Sequence, residues 1–429
     1  MIKKIFIIVF GVATFFCARA QTDSALWQKD FGKVKTTMLS QPGQNATLYS
    51  QLSVQLDSLA IKNPGNAEAW YFLGSAIDKF NTSSGEEIPS SSLSLAEKSS
   101  ACFSNALDLS NGKYEGQTLL FDPHTKILSV WGAQAFRYID EGKKDSAIWC
   151  LLQANETGGI NQTVKNYFKQ VLDECSDSSY LFTNGDLYFY YLAYLQLVEH
   201  YRADVHCVSL NFLNTQWYPQ MLNASGFLPL GISNDSLAKI QNIEWKAQDV
   251  VLQNKDTALH GDSLISWNLK STNGNYILRS DLILKLFVQQ NAFRKNIFFA
   301  ADVPENMRLF LSTRNYAELR GLTLKIVPRK NLTSLSFLEN RLAELNELTA
   351  DDSAFTCNKD NIQVLNNYRF AYTAAADLAM LRNEADAAQN ILAFEEKKYP
   401  ETLLPFYADA TKKWFNGFRQ KILDTALNK

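Results

Sequence analysis

The stretch that decides the fold is YLFTNGDLYFYYLAYLQLVEHYRADVHCVSLNFLNTQWY, residues 180–218. It opens with a short β-rich run that ends in the turn residues Asn-Gly-Asp, and a helix-length apolar stretch follows at 187–201. The run DVHCVSLNFL (204–213), in which Val205, Cys207, Val208 and Leu210 alternate, then predicts a second strand. A strand, a helix and a strand within about 30 residues form a βαβ unit, whose two strands run parallel. The stretch therefore predicts an α/β domain whose sheet is at least partly parallel.

The sequence that follows continues the α/β pattern. We predict strands at LISWNL (264–269), NIFFAADV (296–303) and GLTLKIVP (321–328), and helices at 280–291 and at FLSTRNYAELR (310–320). Ser280 is the expected N-cap of the first of these helices, and Asn214 the expected cap of a short helix that carries Trp217 and Tyr218.

Both ends of the chain show helical periodicity with small residues at close-packing positions. Gly74 is expected to let a neighbouring helix approach closely, while Trp70 and Phe103 fill the space between helix pairs. The pattern at 63–109 resembles a tetratricopeptide repeat with an inserted Ser-rich loop, and similar patterns appear at 130–154 and 368–400. Ordinary helical hairpins would explain the same spacing. We expect the C-terminal helices to pack against the middle domain.

The composition favours a globular chain of more than one domain. It has 429 residues, 46% of them hydrophobic, which is more than one core usually accommodates. The formal net charge is −2. Because no broad basic surface exists, nucleic-acid binding is disfavoured.

The N-terminus has the pattern of an export signal. Lys3 and Lys4 precede an apolar run at 5–16, and Ala18-Arg19-Ala20 forms a small-x-small cleavage site. Twelve apolar residues are too few for a membrane anchor. We therefore predict cleavage after Ala20, a periplasmic or secreted protein, and no membrane span in the mature chain.

The cysteines do not predict a metal site or a disulfide framework. Outside the signal there are five, and no C-x-x-C or H-E-x-x-H motif occurs. Buried apolar thiols are the simplest interpretation. No cofactor is predicted. The five are Cys102, Cys150, Cys175, Cys207 and Cys357.

Several motifs in the middle of the chain resemble one family. They are FTNGD (182–186), YLQ (194–196), Arg202, DV (204–205), LNT (213–215), WY (217–218), KNIFFA (295–300) and the run 316–328. Together they are similar to the C-terminal soluble part of O-mannosyltransferase-like membrane proteins of Gram-negative bacteria, a glycosyltransferase-related family. The transmembrane catalytic part of that family has no counterpart here. The resemblance implies a link to glycosyl transfer rather than the reaction itself.

Five residues are candidates for a ligand site. Asp186 and Asn184 follow the first βα strand, where open α/β sheets present their ligand crevice, but Asp186 could equally cap a helix. Trp217 and Tyr218 could stack on a sugar or could plug the sheet edge. Arg279 would complete a polar crevice with them. No catalytic residue is predicted.

We thus expect a mixed α/β, helix-rich protein in which tetratricopeptide-like hairpins flank a Rossmann-like domain. The expected segments are a signal peptide at 1–20, repeats at 21–176, the α/β domain at 177–330 and a helical region at 331–429. The expected function is a non-catalytic, exported interaction scaffold for a protein or peptide of the cell envelope. The alternative is a sugar- or lipid-linked-sugar-binding accessory of a membrane glycosyltransferase.

Overall fold

The computed structural model describes residues 24–40, 45–255, 262–312, 315–329 and 333–427. The predicted signal peptide and its cleavage site lie outside these residues. The protein is about 60% helical, with a mixed sheet of five strands, so a mixed α/β, helix-rich fold is confirmed. The chain divides into two compact units, one up to Val130 and one from Trp131 onward.

The first unit consists of consecutive helices. Polar caps explain where two of them begin, since the side chains of Asn45 and Asn66 accept hydrogen bonds from the backbone N–H groups of Leu48 (2.9 Å) and Ala69 (2.8 Å). The helices are α1 (24–40), α2 (Ala46–Lys62), α3 (Ala67–Thr82), α4 (Leu93–Leu109) and α5 (Pro123–Asp140), of which α5 ends in the second unit.

The close approach of α3 and α4 depends on a glycine, as the sequence predicted. A Cβ atom at Gly74 would lie only 3.1 Å from Cβ of Cys102 and from the ring of Phe103. The hydroxyl of Ser99 also donates a 2.9 Å hydrogen bond to the Gly74 carbonyl. Phe103 is fully buried, whereas the half-buried Trp70 donates its indole N–H to the Pro64 carbonyl beside the turn.

The second unit mixes helices and strands. Its helices are α6 (Lys144–Glu156), α7 (Gln162–Asp173), α8 (Asp186–Leu197), α9 (Trp217–Ala224), α10 (Asn234–Ala238), α11 (Arg279–Asn291), α12 (Leu335–Ala343), α13 (Lys359–Leu365), α14 (Asn367–Leu381), α15 (Ala385–Lys398) and α16 (Asp409–Leu427). Its strands are β1 (Tyr180–Thr183), β2 (His206–Ser209), β3 (Ile243–Glu244), β4 (Gln248–Gln253), β5 (Leu264–Leu269), β6 (Tyr276–Ile277), β7 (Ile297–Ala300), β8 (Ala317–Leu319) and β9 (Thr323–Ile326).

The central sheet has the order β2-β1-β7-β9-β8. Strand β1 pairs in parallel with β2 and with β7, so the predicted βαβ unit β1-α8-β2 is confirmed. Strands β9 and β8 extend the sheet in antiparallel fashion. The chain leaves β2 on one side of β1 and returns to β7 on the other. This reversal places the carboxyl ends of β1 and β7 at a topological switch point, where α/β proteins commonly bind ligands.

Three local predictions are wrong. Helix α11 has Leu278 as its N-cap, and Ser280 lies inside the first turn, where its N–H donates to the side chain of Asn214 (3.0 Å). Helix α9 has Gln216 as its N-cap rather than Asn214. The segment predicted as a helix at 310–320 contains strand β8, because pairing with β9 outweighs the local helix pattern.

The C-terminal helices pack against the α/β core, as predicted. Tyr368 on α14 donates a 2.9 Å hydrogen bond to Oε1 of Gln170 on α7, and the Asn367 side chain donates to the hydroxyl of Tyr188 on α8. No helix in the described parts of the chain is long and apolar enough to cross a membrane.

Candidate functional site

The carboxyl end of β1 carries two of the predicted site residues. Asn184, Gly185 and Asp186 follow the strand directly, and Gly185 has a φ of +89° that favours glycine. Gly185 is the N-cap of α8, so Asp186 occupies the first helical position instead of the cap. A carboxylate in the first turn stabilises a helix through its dipole. Both Asn184 and Asp186 are half-buried.

Trp217 and Tyr218 follow β2. Tyr218 is fully buried, and its hydroxyl accepts a 3.2 Å hydrogen bond from the backbone N–H of Ser209 at the end of β2. Its ring packs edge to face against Phe189 (5.8 Å between centroids) and against the half-buried Trp217 (5.4 Å). Tyr218 therefore belongs to the packing between β2, α8 and α9 instead of forming an exposed stacking platform.

Arg279 begins α11 and is buried. Its guanidinium donates to the carbonyl of Ile240, and its backbone N–H donates to the side chain of Asn242 (2.8 Å). These contacts hold the 240–242 segment against the start of α11. The predicted residues thus lie after β1, after β2 and at the start of α11, and the last two positions are joined by the hydrogen bond from the Ser280 N–H to Asn214.

An apolar pocket of about 420 Å³ lies beside Tyr218. Its floor is buried and its mouth is marked by exposed residues of the α5–α6 turn and of the end of α9. Concave, mainly apolar cavities with few polar groups are the usual form of small-molecule sites. The residues that line it are Phe136, Ile139, Gly142, Lys144, Phe189, Ala193, Gln196, Leu197, Cys207, Tyr218, Met221, Leu222, Ser225 and Phe227.

The polar groups in the pocket wall are already used by the protein. The amide nitrogen of Gln196 donates to the carbonyls of Arg202 (2.8 Å) and Val205 (2.7 Å). Burial raises the pKa of the Cys207 thiol well above its usual value, so the thiol stays neutral. The interior therefore presents carbon and sulfur surface to whatever occupies it.

On another side of α8, a cluster of polar residues is buried near the ends of β1 and β7. Asp302 follows β7, and burial raises the pKa of its carboxyl well above the usual value, although the backbone N–H of Asn184 favours the charged form. Within the described residues, Oδ1 of Asp302 and the hydroxyl of Thr183 have no hydrogen-bond partner. Tyr167 of α7 and Tyr188 of α8 lie close by, their rings 6.3 Å apart.

Glu174 belongs to the same buried region. Burial raises the pKa of its carboxyl to about 7, against hydrogen bonds from the Leu322 N–H (2.9 Å) and the Thr323 hydroxyl (2.7 Å) that favour the charged form. A carboxyl with such a pKa can exchange protons near neutrality. Both of its oxygens accept hydrogen bonds from β9 or from the residue just before it, so Glu174 primarily holds α7 to the sheet.

A third feature is a polar cleft of about 370 Å³ between α7 and the segment after α12. Its wall includes Lys169 and Asp173, which pair with Glu199 (2.7 Å) and with the Tyr201 hydroxyl (2.8 Å). Most of its polar groups thus have partners in the protein.

Apart from Tyr218, the predicted set omitted the residues that line the pocket and those of the buried polar cluster. Asp302 stood inside a predicted strand, directly before its end, and this position at the end of a strand was the signal that could have identified it. Cys102, Cys150, Cys175 and Cys207 are buried free thiols, as predicted, while Cys357 is half-buried. No group of three or more His, Cys, Asp or Glu side chains that could hold a metal occurs in the described ranges.

Comparisons with known proteins give one match. Neither the curated proteins nor the solved structures searched contain a significant match to the chain. The one match is to the family model TMEM260-associated domain 2, and it covers residues 164–243. This segment includes β1, α8, β2, α9 and most of the pocket wall.

Proposed function

We propose that the chain is an exported, non-catalytic scaffold that binds a protein or peptide of the cell envelope through tetratricopeptide-like helices. The observation that carries this proposal is an apolar stripe on α2. Val54 and Ile61 are 71% and 67% exposed, and their seven-residue spacing places them on one face, two turns apart. Leu52, Leu56 and Leu59 are buried on the inner side of the same helix.

Exposed apolar side chains on stacked helical hairpins are how repeat proteins bind partners. The tight contact at Gly74 between α3 and α4 supports repeat character in this region. In the same proposal, β1, α8, β2 and β7 form a Rossmann-like core, supported by their parallel pairing and the chain reversal at β1.

The location is part of the proposal. The basic and apolar N-terminal pattern supports export to the periplasm or beyond, with cleavage after Ala20. Fractionation of cells and N-terminal sequencing of the purified protein test it. A chain that starts at Met1 and stays in the cytoplasm would contradict export.

The binding proposal is tested with the double variant Val54→Asp/Ile61→Asp. Tagged chains are incubated with envelope extract, and proteins retained after washing are quantified by mass spectrometry. A partner held by α2 should be lost from the variant. The control Val251→Asp/Leu264→Asp adds the same charges to exposed apolar positions of β4 and β5 and should retain the partner. Equal retention by both variants would contradict binding through α2.

A second function is favoured by the match at 164–243. TMEM260 is grouped with the O-mannosyltransferases, so this segment supports an accessory role in which the chain binds a sugar or lipid-linked sugar for a membrane glycosyltransferase. The crevice at the end of β1 would then contain Asn184 and Asp186. Calorimetric titration with mannosides tests it, with Asp186→Ala as the variant. Lower stability of this variant without any change in sugar binding would favour the scaffold.

A further inference from the structure

The apolar pocket beside Tyr218 combines buried and exposed lining residues. Phe136, Phe189 and Tyr218 are buried and form its floor, while Gly142 and Lys144 at the α5–α6 turn are exposed and border its mouth. All of these residues belong to the second unit. The cavity therefore has a buried apolar floor and an exposed border that includes a lysine.

The wall chemistry determines which ligands fit. The Gln196 amide nitrogen is committed to two backbone carbonyls, and the Tyr218 hydroxyl accepts the Ser209 N–H. A polyhydroxylated ligand would lose its hydrogen bonds to water on entering and would gain few in return. An aliphatic chain loses nothing and buries apolar surface.

The charge at the mouth of the pocket favours an anionic ligand group. Lys144 is the charged residue of the pocket lining, and in the described part of the chain it forms no ion pair. The adjacent Glu141 is neutralised by Lys143 (2.7 Å) and Arg137 (3.0 Å). An anionic group at the mouth would therefore meet an uncompensated ammonium group.

We propose that this pocket binds an amphiphile that has one long aliphatic chain and an anionic head group. The chain lies among Phe136, Phe189 and Tyr218, and the head group remains at the surface beside Lys144. The proposal requires no protein partner and no sugar, and its site contains none of the residues used by the two functions proposed above, so each can fail separately.

The test uses the purified chain and displacement of a fluorescent fatty acid. Dodecanoate, farnesyl phosphate and dodecanol are titrated as competitors. We expect both anions to displace the probe at least tenfold more effectively than the neutral alcohol at low salt, and the better of the two identifies a carboxylate or a phosphate head group. Equal displacement by dodecanol, or no binding of the probe, would overturn the proposal.

Two variants and a control locate the site. Lys144→Glu should weaken dodecanoate binding about tenfold at low salt and less at high salt, because attraction at the mouth becomes repulsion and is screened by ions. Met221→Trp should fill the cavity and abolish binding. Lys421→Glu makes the same change in net charge at an exposed position of α16 outside the lining and should bind normally.

Circular dichroism of each variant verifies folding before binding is compared. If Met221→Trp does not fold, Leu197→Trp at another half-buried wall position replaces it. Unchanged binding in folded cavity-filling variants, or equal weakening by Lys421→Glu and Lys144→Glu, would overturn the assignment to this pocket.

Discussion

The two sides of helix α8 differ in how completely their side chains are packed. Toward α7 and α14, Tyr188 and Tyr191 lie among rings and polar groups, and their hydroxyls are hydrogen-bonded to the side chain of Asn367 and to the Asn161 N–H (2.7 Å). Toward α5 and α9, Phe189 and Ala193 border an open apolar pocket. One side is filled by the protein itself, and the other leaves space.

This difference shows why burial of an unusual residue does not by itself identify a binding site. The carboxyls of Asp302 and Glu174, whose pKa values are raised by burial, are on the filled side. The cavity on the open side contains no carboxylate in its lining and has ordinary core residues as its floor. The filled side should therefore control stability, and the open side should control binding.

The largest effect is expected from Tyr191→Ala. Tyr191 is fully buried, stacks on Phe168 (5.0 Å) and is hydrogen-bonded to Asn161. Its removal leaves a cavity and an unsatisfied N–H group, so the free energy of unfolding should fall by about 3–5 kcal/mol. Urea unfolding measures the loss. Tyr276→Ala, at a residue 45% exposed, should cost far less, and equal losses would contradict the filled-side assignment.

Glu174→Gln should remove a pH dependence of stability. The folded pKa is raised from 4.5 to about 7, so the fold favours the protonated carboxyl. The stabilisation is complete below about pH 4.5 and is lost as the pH rises to about 7, a change of roughly 3 kcal/mol. The glutamine variant should lack this decline and be more stable than the wild type at pH 8.

Unfolding free energies measured from pH 4.5 to pH 8 test the Glu174 prediction. Glu344→Gln is the control, because the Glu344 side chain is 65% exposed. It should leave the decline in place. A decline that persists unchanged in Glu174→Gln would show that another group causes it.

On the open side, Phe189→Ala should cost less than Tyr191→Ala, about 2 kcal/mol. Phe189 is buried but borders the pocket, so it has fewer neighbouring atoms to lose on that side. The same urea experiment measures the difference between the two variants. A larger loss for Phe189→Ala than for Tyr191→Ala would mean that the pocket is closed in solution.

The sequence predicted the parts of the fold that depend on local pattern. The βαβ unit was recognisable because strand, turn and helix signals follow each other within residues 180–210. The cap of α11 was not, because the Asn214 side chain that accepts the Ser280 N–H is 66 residues away in sequence. Strand β8 was missed because its structure depends on pairing with β9.

The site was harder to predict because it also depends on residues that are far apart in sequence. Asp186 and Tyr218 were singled out for their residue type, whereas the pocket results from four helices and a strand that meet around residues with no chemical signature. Phe136 and Phe227 are ordinary core residues in a sequence, and only their arrangement leaves a cavity. Asp302 had a positional signal, but its environment is set by α7 and α8.

The smallest effect is expected from Asp302→Asn, and it tests whether the filled side tolerates a neutral group there. Since burial raises the pKa of the carboxyl well above its usual value and so favours the neutral form, an amide of nearly the same shape should change the unfolding free energy by less than about 0.5 kcal/mol. Its oxygen can still accept the Asn184 N–H. A loss above about 2 kcal/mol at pH 7 would mean that Asp302 is charged and paired, and that the filled side contains an ionic site after all.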